Sequence, residues 1–174
     1  MIRPMNGFFS LAVAVALLSA CQSTPSHHDV AQNQFDQQFL DQMSQHHAGA
    51  IAMARLAERQ GSTEHVKGMA TKLISKQGEE LKRLQAWRTQ WYGPGPAPAP
   101  GDKDRQMTEE LSRLNGVAFD KGFITKMIEH HQEGIKMATP ATHDAVHPEV
   151  RAFAKQMIND QTHEIEHLQG HLRE

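Results

Sequence analysis

An ungapped internal repeat constrains this chain more than any other feature. Phe39-Leu-Asp-Gln-Met43-Ser-Gln-His46-His47 returns 84 residues later as Phe123-Ile-Thr-Lys-Met127-Ile-Glu-His130-His131. The same offset pairs Phe35 and Asp36 with Phe119 and Asp120, and Ile51, Met53 and Ala54 with Ile135, Met137 and Ala138. It holds through a second segment, where Val66, Ala70, Ile74, Gln77, Glu80 and Leu84 match Val150, Ala154, Ile158, Gln161, Glu164 and Leu168. A match that crosses two segments and the loop between them without a gap implies a duplicated unit of fixed geometry.

Each unit reads as a helical hairpin. Phe39, Leu40, Met43, Ala50, Ile51 and Ala54 recur at three- and four-residue spacing, and Val66, Ala70, Leu73, Gln77, Leu81 and Leu84 form a second stripe. Gly61-Ser62-Thr63 breaks the pattern and offers a cap for the next helix. In the second unit Pro140 ends the first helix and Pro148 suits the first turn of the next. The alternating Gly-Pro-Ala stretch 93–101 cannot be helical, and Thr108–Leu114 adds a short helix that Asn115-Gly116 stops. Neither hairpin can bury its apolar stripe alone. The expected fold is therefore all-α: a ferritin-like four-helix bundle of two repeated hairpins, residues 34–92 and 105–174, joined by a long Pro-rich crossover over 93–104.

The N-terminus reads as a targeting segment. Arg3 precedes the apolar run Phe8–Leu18, which is too short for a mature membrane span. Leu18-Ser-Ala-Cys21 resembles a bacterial lipoprotein processing site. Residues 1–20 are then a signal peptide, Cys21 carries the lipid, and 21–33 is a flexible tether. Ordinary secretion with an unmodified Cys21 is the alternative. Gln22 in place of Asp favours the outer membrane where there are two membranes, so the expected location is extracytoplasmic and lipid-anchored. His27 and His28 fall in the tether and read as spacer. A single cysteine in 174 residues excludes an internal disulfide and any cysteine-rich metal site.

Polar residues lie on the stripes where core residues belong. With Asp36 at zero and about 100° per residue, Met43 and His47 fall within roughly 20° of it, and His46 lies on the flank. Gln77 lies on the partner stripe with Glu80 close by. Measured from a turn near Gly61, His47 and Gln77 share one layer and Met43 and Glu80 the next, with His131, Gln161, Met127 and Glu164 repeating them. Thioether sulfur selects Cu(I), and imidazole suits copper, zinc and iron, so the expected cargo is copper, with zinc or iron as alternatives. The candidate ligands are Met43, His46, His47, Met127, His130 and His131. Glu80, Glu164, Gln77 and Gln161 are ligands, supports or a buried hydrogen-bond network. Asp36 and Asp120 are ligands or helix-start residues. Met53, Met69, Met137 and Met157 read as core filler. His163, His167 and His171 recur on the last helix where the first unit has Glu79, Arg83 and Trp87. They read as a solvated face, with a secondary surface metal site as the alternative.

The twin-His segments and the Gln77-x-x-Glu80 and Gln161-x-x-Glu164 pairs resemble the domain of unknown function 305 family across nearly all of the chain after Gln34. That resemblance implies a ferritin-like bundle, and copper binding outside the cytoplasm in some members. The Pro-Ala linker and the last-helix histidines depart from the family pattern.

Charge is nearly balanced, 18 basic against 20 acidic residues, with no basic patch for nucleic acid. The implied partners are a metal ion and, through the lipid, a membrane; a homodimer stays open. A di-iron carboxylate oxidase shares the fold, but only Glu164-Ile-Glu-His167 fits its Glu-x-x-His pattern, since Glu80-Leu-Lys-Arg83 does not. A metal-free structural lipoprotein is the third reading. No nucleophile–base pair, phosphate loop or cofactor motif points to an enzyme.

Overall fold

The computed structural model describes residues 27–173, with side chains from Gln34 onward. The expected signal peptide 1–20 and the lipidation site Cys21 lie outside the described residues. Among those residues there are five α-helices and no strand: α1 (His27–Gln60), α2 (Glu64–Tyr92), α3 (Asp102–Ser112), α4 (Gly116–Asp144) and α5 (Pro148–Leu172). None of these helices is long and apolar enough to cross a membrane.

The four long helices form the expected all-α, ferritin-like bundle. α1 packs along α2 and α4 along α5, the hairpins join through α1 against α4, and α3 lies on α1. Thr63 caps α2, its Oγ1 accepting from the Val66 N–H at 3.2 Å. Gly93 closes α2 at φ 77°, where its lack of Cβ permits the left-handed turn into the linker. Arg88 then anchors the exit. Its Nε donates to Asp41 Oδ1 (2.9 Å) and its Nη1 to the carbonyls of Tyr92 (3.0 Å) and Gly93 (2.8 Å).

Three boundaries differ from the sequence reading. α1 begins at His27, so residues 27–33 extend the helix rather than tether it; no Gly or Pro interrupts them. α3 opens at Asp102, not Thr108. Asp102 and Asp104 put negative charge in its first turn, the Gly101 N–H donates to Asp104 Oδ2 (3.3 Å), and Met107 and Leu111 are buried. α4 runs through Pro140 to Asp144. The proline forfeits one backbone bond, while the small, fully buried Ala138 and Ala141 keep that turn packed against the core.

The apolar core divides into two clusters. One gathers Met53 and Ala57 of α1, Leu73 of α2, Leu111 of α3, and Phe119, Phe123 and Met127 of α4. The other gathers Phe39, Leu40 and Met43 of α1, Leu84 of α2, and Ala138, Phe153 and Met157 of α4 and α5. The positions left between them along the helices belong to the twin histidines and the Gln-x-x-Glu pairs.

Candidate metal centre

All four twin histidines are buried, three of them completely: His47, His130 and His131 at 0% exposure and His46 at 7%. They form a row across the bundle. Ring centroids are 6.2 Å apart from His47 to His46, 3.7 Å from His46 to His130, and 6.3 Å from His130 to His131. His46 and His130 are stacked at the α1–α4 contact. The expected flank position of His46 is thus turned inward, because α4 covers that flank.

At the outer ends of the row, each histidine meets the glutamate of its own hairpin. His47 Nε2 lies 2.9 Å from Glu80 Oε2, and His131 Nε2 lies 2.9 Å from Glu164 Oε2, the latter off the hydrogen-bonding direction. His47 therefore shares its layer with Glu80 rather than Gln77. α2 starts only at Glu64, so the turn is centred later than the Gly61 assumed from sequence. On its other side, His47 Nδ1 is 3.0 Å from the Met43 carbonyl. A carbonyl only accepts, so Nδ1 carries a proton. Nε2 is then the nitrogen turned toward Glu80, and the one that a metal ion could take between the ring and the carboxylate.

In the centre, His46 Nε2 donates to the His130 carbonyl at 3.0 Å, leaving its Nδ1 with a lone pair and no partner. Burial, together with the neighbouring His130 and His47 rings, lowers the His46 pKa to about 2. Burial also pushes His130 down, against Asp104, whose Oδ1 stands 3.4 Å from His130 Nε2. Burial alone would raise Glu164, but His131 and Lys76 (2.7 Å) overcome it and hold the carboxyl below its ordinary value.

The layer is rich in buried polar atoms without a hydrogen-bond partner. Among the described residues, the buried polar atoms lacking a hydrogen bond are His46 Nδ1, Gln77 Oε1, both nitrogens of His130 and of His131, and both amide atoms of Gln161. Leaving such a group unmatched costs about 1–3 kcal/mol. All of them belong to the repeated motif, and their donor set, with the fully buried Met43 and Met127 thioethers in the adjoining clusters, fits a soft cation. Among the described residues, no three His, Cys, Asp or Glu side chains already stand where they could hold one ion.

Asp36 and Asp120 stand elsewhere. Asp36 accepts from the backbone N–H groups of Val146 and His147 (2.9 Å each) and contacts His147 Nδ1 at 2.8 Å. Asp120 accepts from the Ser62 N–H (2.8 Å), Ser62 Oγ (2.7 Å) and Thr63 Oγ1 (3.1 Å). Each aspartate clamps the turn of the opposite hairpin, so in this arrangement the carboxylates expected as ligands or helix-start residues tie the two hairpins together. His167, in the one Glu-x-x-His that suits a di-iron site, turns outward toward His171 (3.4 Å).

Two residues of the site have no counterpart in the sequence reading. Asp104 comes from the short crossover helix, which the repeat does not contain. Gly134 lets α4 approach closely: a Cβ there would lie 2.6 Å from Gln161 Oε1 and 2.8 Å from His46 Cε1. A glycine inside a helical pattern, where the other unit has Ala50, was the available signal.

The family described as "Domain of unknown function (DUF305)" matches residues 36–172. The chain belongs to this family. Among solved structures, CopM in the Cu(I)-bound form is 30% identical, over 79% of this chain and 95% of that one, with a TM-score of 0.68. CopM is also known in Cu(II)-bound and Ag-bound forms. A DUF305 fragment from Deinococcus radiodurans is 29% identical, over 79% of this chain and 95% of that one, with a TM-score of 0.70. No functionally curated protein matches the chain.

Proposed function

We propose that this DUF305 protein is a copper carrier or store outside the cytoplasm, lipid-anchored through Cys21, that serves copper storage, sequestration or tolerance rather than catalysis. Where the cell has two membranes, it sits on the periplasmic face of the outer one. Cu(I) is held by Met43, His46, His47 and their counterparts Met127, His130 and His131. Glu80, Glu164, Gln77 and Gln161 orient the rings or complete the coordination. The observation that carries this reading is the row of buried imidazoles in which ring nitrogens of His46, His130 and His131 have no hydrogen-bond partner, confined to the repeated motif. A 30% identical relative solved with Cu(I), Cu(II) and Ag supports copper over iron.

Competition of the purified protein with a chromophoric Cu(I) chelator, under anaerobic conditions, tests it. At least one Cu(I) per chain should leave the dye, and H47A/H131A should lower the affinity at least tenfold. No transfer from the dye at micromolar protein rules the reading out.

A further inference from the structure

The two halves of the duplication differ most outside the twin-His layer, over the outer faces of Glu80 and Glu164. On the first half, Phe153 covers His47, with ring centroids 6.4 Å apart. Trp87 meets Phe153 edge-on at 5.7 Å, and the Arg83 guanidinium lies 5.9 Å over the same ring. On the second half, the residues 84 positions away from Phe153, Arg83 and Trp87 are Met69, His167 and His171. No aromatic plug forms there. Instead a groove of about 480 Å³, lined by His65, Met69, His163 and His167, reaches inward to His131 and Glu164. Glu164 is accordingly the more open carboxylate, at 26% exposure against 13% for Glu80.

At the groove's outer end three imidazoles converge. His65 stands in the first turn of α2, and His167 and His171 in the last turns of α5. His65 Nε2 is 2.9 Å from His171 Nε2, which is 3.4 Å from His167 Nε2. Two nitrogens bound to one ion at about 2.0–2.1 Å stand roughly 2.9 Å apart at a right angle and roughly 3.4 Å apart at a tetrahedral angle. Both separations are therefore those of neighbouring ligands on one ion. The rings do not yet surround a common point, but His65 and His167 are exposed, which leaves their side chains room to turn toward the half-buried His171 around a cation. The carbonyl end of α5 also favours positive charge at this place. The duplication does not impose the cluster, because the equivalent positions of the other half hold Glu149, Arg83 and Trp87.

We propose that His65, His167 and His171 form a second metal site, of imidazole donors only, at the mouth of the groove leading to His131 and Glu164. Without thioethers this set suits Cu(II) rather than Cu(I). It departs from the solvated face expected of the last helix, and it stands independently of whether the buried layer binds copper.

Cu(II) titration of the purified protein, followed by electron paramagnetic resonance, tests the proposal. The wild type should take up one more equivalent with nitrogen hyperfine structure than H65Q/H167Q/H171Q, whereas H163Q should match the wild type. His65 and His167 are exposed and His171 is half-buried, and thermal unfolding of the metal-free proteins, expected to be equal, separates loss of the site from loss of the fold. Equal stoichiometry and spectra for the wild type and the triple variant would overturn the site. Because the buried histidines are intact in both proteins, failure of the Cu(I) reading would leave this difference unchanged.

Discussion

Asp36→Ala will destabilise the metal-free protein by about 2–4 kcal/mol, from the loss of charge-assisted bonds to two part-buried N–H groups and to His147. Asp36 is fully buried, and its two oxygens are the acceptors for the Val146 and His147 amides at the α4–α5 turn. The same oxygens orient His147, which stacks on Trp91 at 3.7 Å and lies 3.3 Å from the Tyr92 hydroxyl. Burial and the Asp36 charge push that hydroxyl up to about 12. Asp120→Ala strands one backbone amide and two hydroxyls and should cost less, about 2–3 kcal/mol. The two sites serve the turns at opposite ends of the bundle, so the losses should add in the double variant. Urea unfolding gives the measurement. A stable Asp36→Ala protein that loses a copper equivalent would instead restore this aspartate as a ligand.

Acidification will destabilise the metal-free protein well before its carboxylates titrate. His46 is held neutral at a pKa of about 2, against 6.5 for the free side chain, and burial holds His130 low as well. In this window the unfolded chain binds protons that the folded one refuses, so stability falls as pH falls below about 6.5. It is fully present above that pH. His46 alone accounts for about 2 kcal/mol between pH 7 and pH 5, and His130 adds in the same direction. Below that range, protonation of Glu164, whose folded pKa is depressed, removes further stability. Urea midpoints at pH 7 and pH 5 measure the effect. H46Q should shrink the difference between them, and equal midpoints for the wild type would contradict the buried neutral pair.

The repeat made the hairpins, their order and the crossover legible, because a gapless offset leaves little freedom in how two hairpins pair. It did not reveal how the halves interlock. Asp36 and Asp120 sat on the core stripe with no sign that each reaches the other hairpin's turn, which is a contact between units and invisible to periodicity within one. The layer heights shifted because one residue in the turn centre moves every facing pair, bringing His47 to Glu80 instead of Gln77. Pro140 failed as a boundary because a helix can lose one backbone bond and still be held by its buried alanines. Asp104 and His65 reach their sites through tertiary packing alone, since neither lies on a stripe or in the repeated motif.

In the proposed function, the duplicated Met-x-x-His-His layer holds Cu(I) through thioether and imidazole together. Copper K-edge X-ray absorption of the Cu(I)-loaded protein tests it most directly. Both sulfur and nitrogen neighbours are expected in the wild type, with loss of the sulfur shell in M43L/M127L. A wild-type spectrum with nitrogen and oxygen neighbours alone, or a sulfur shell that survives in M43L/M127L, would contradict it.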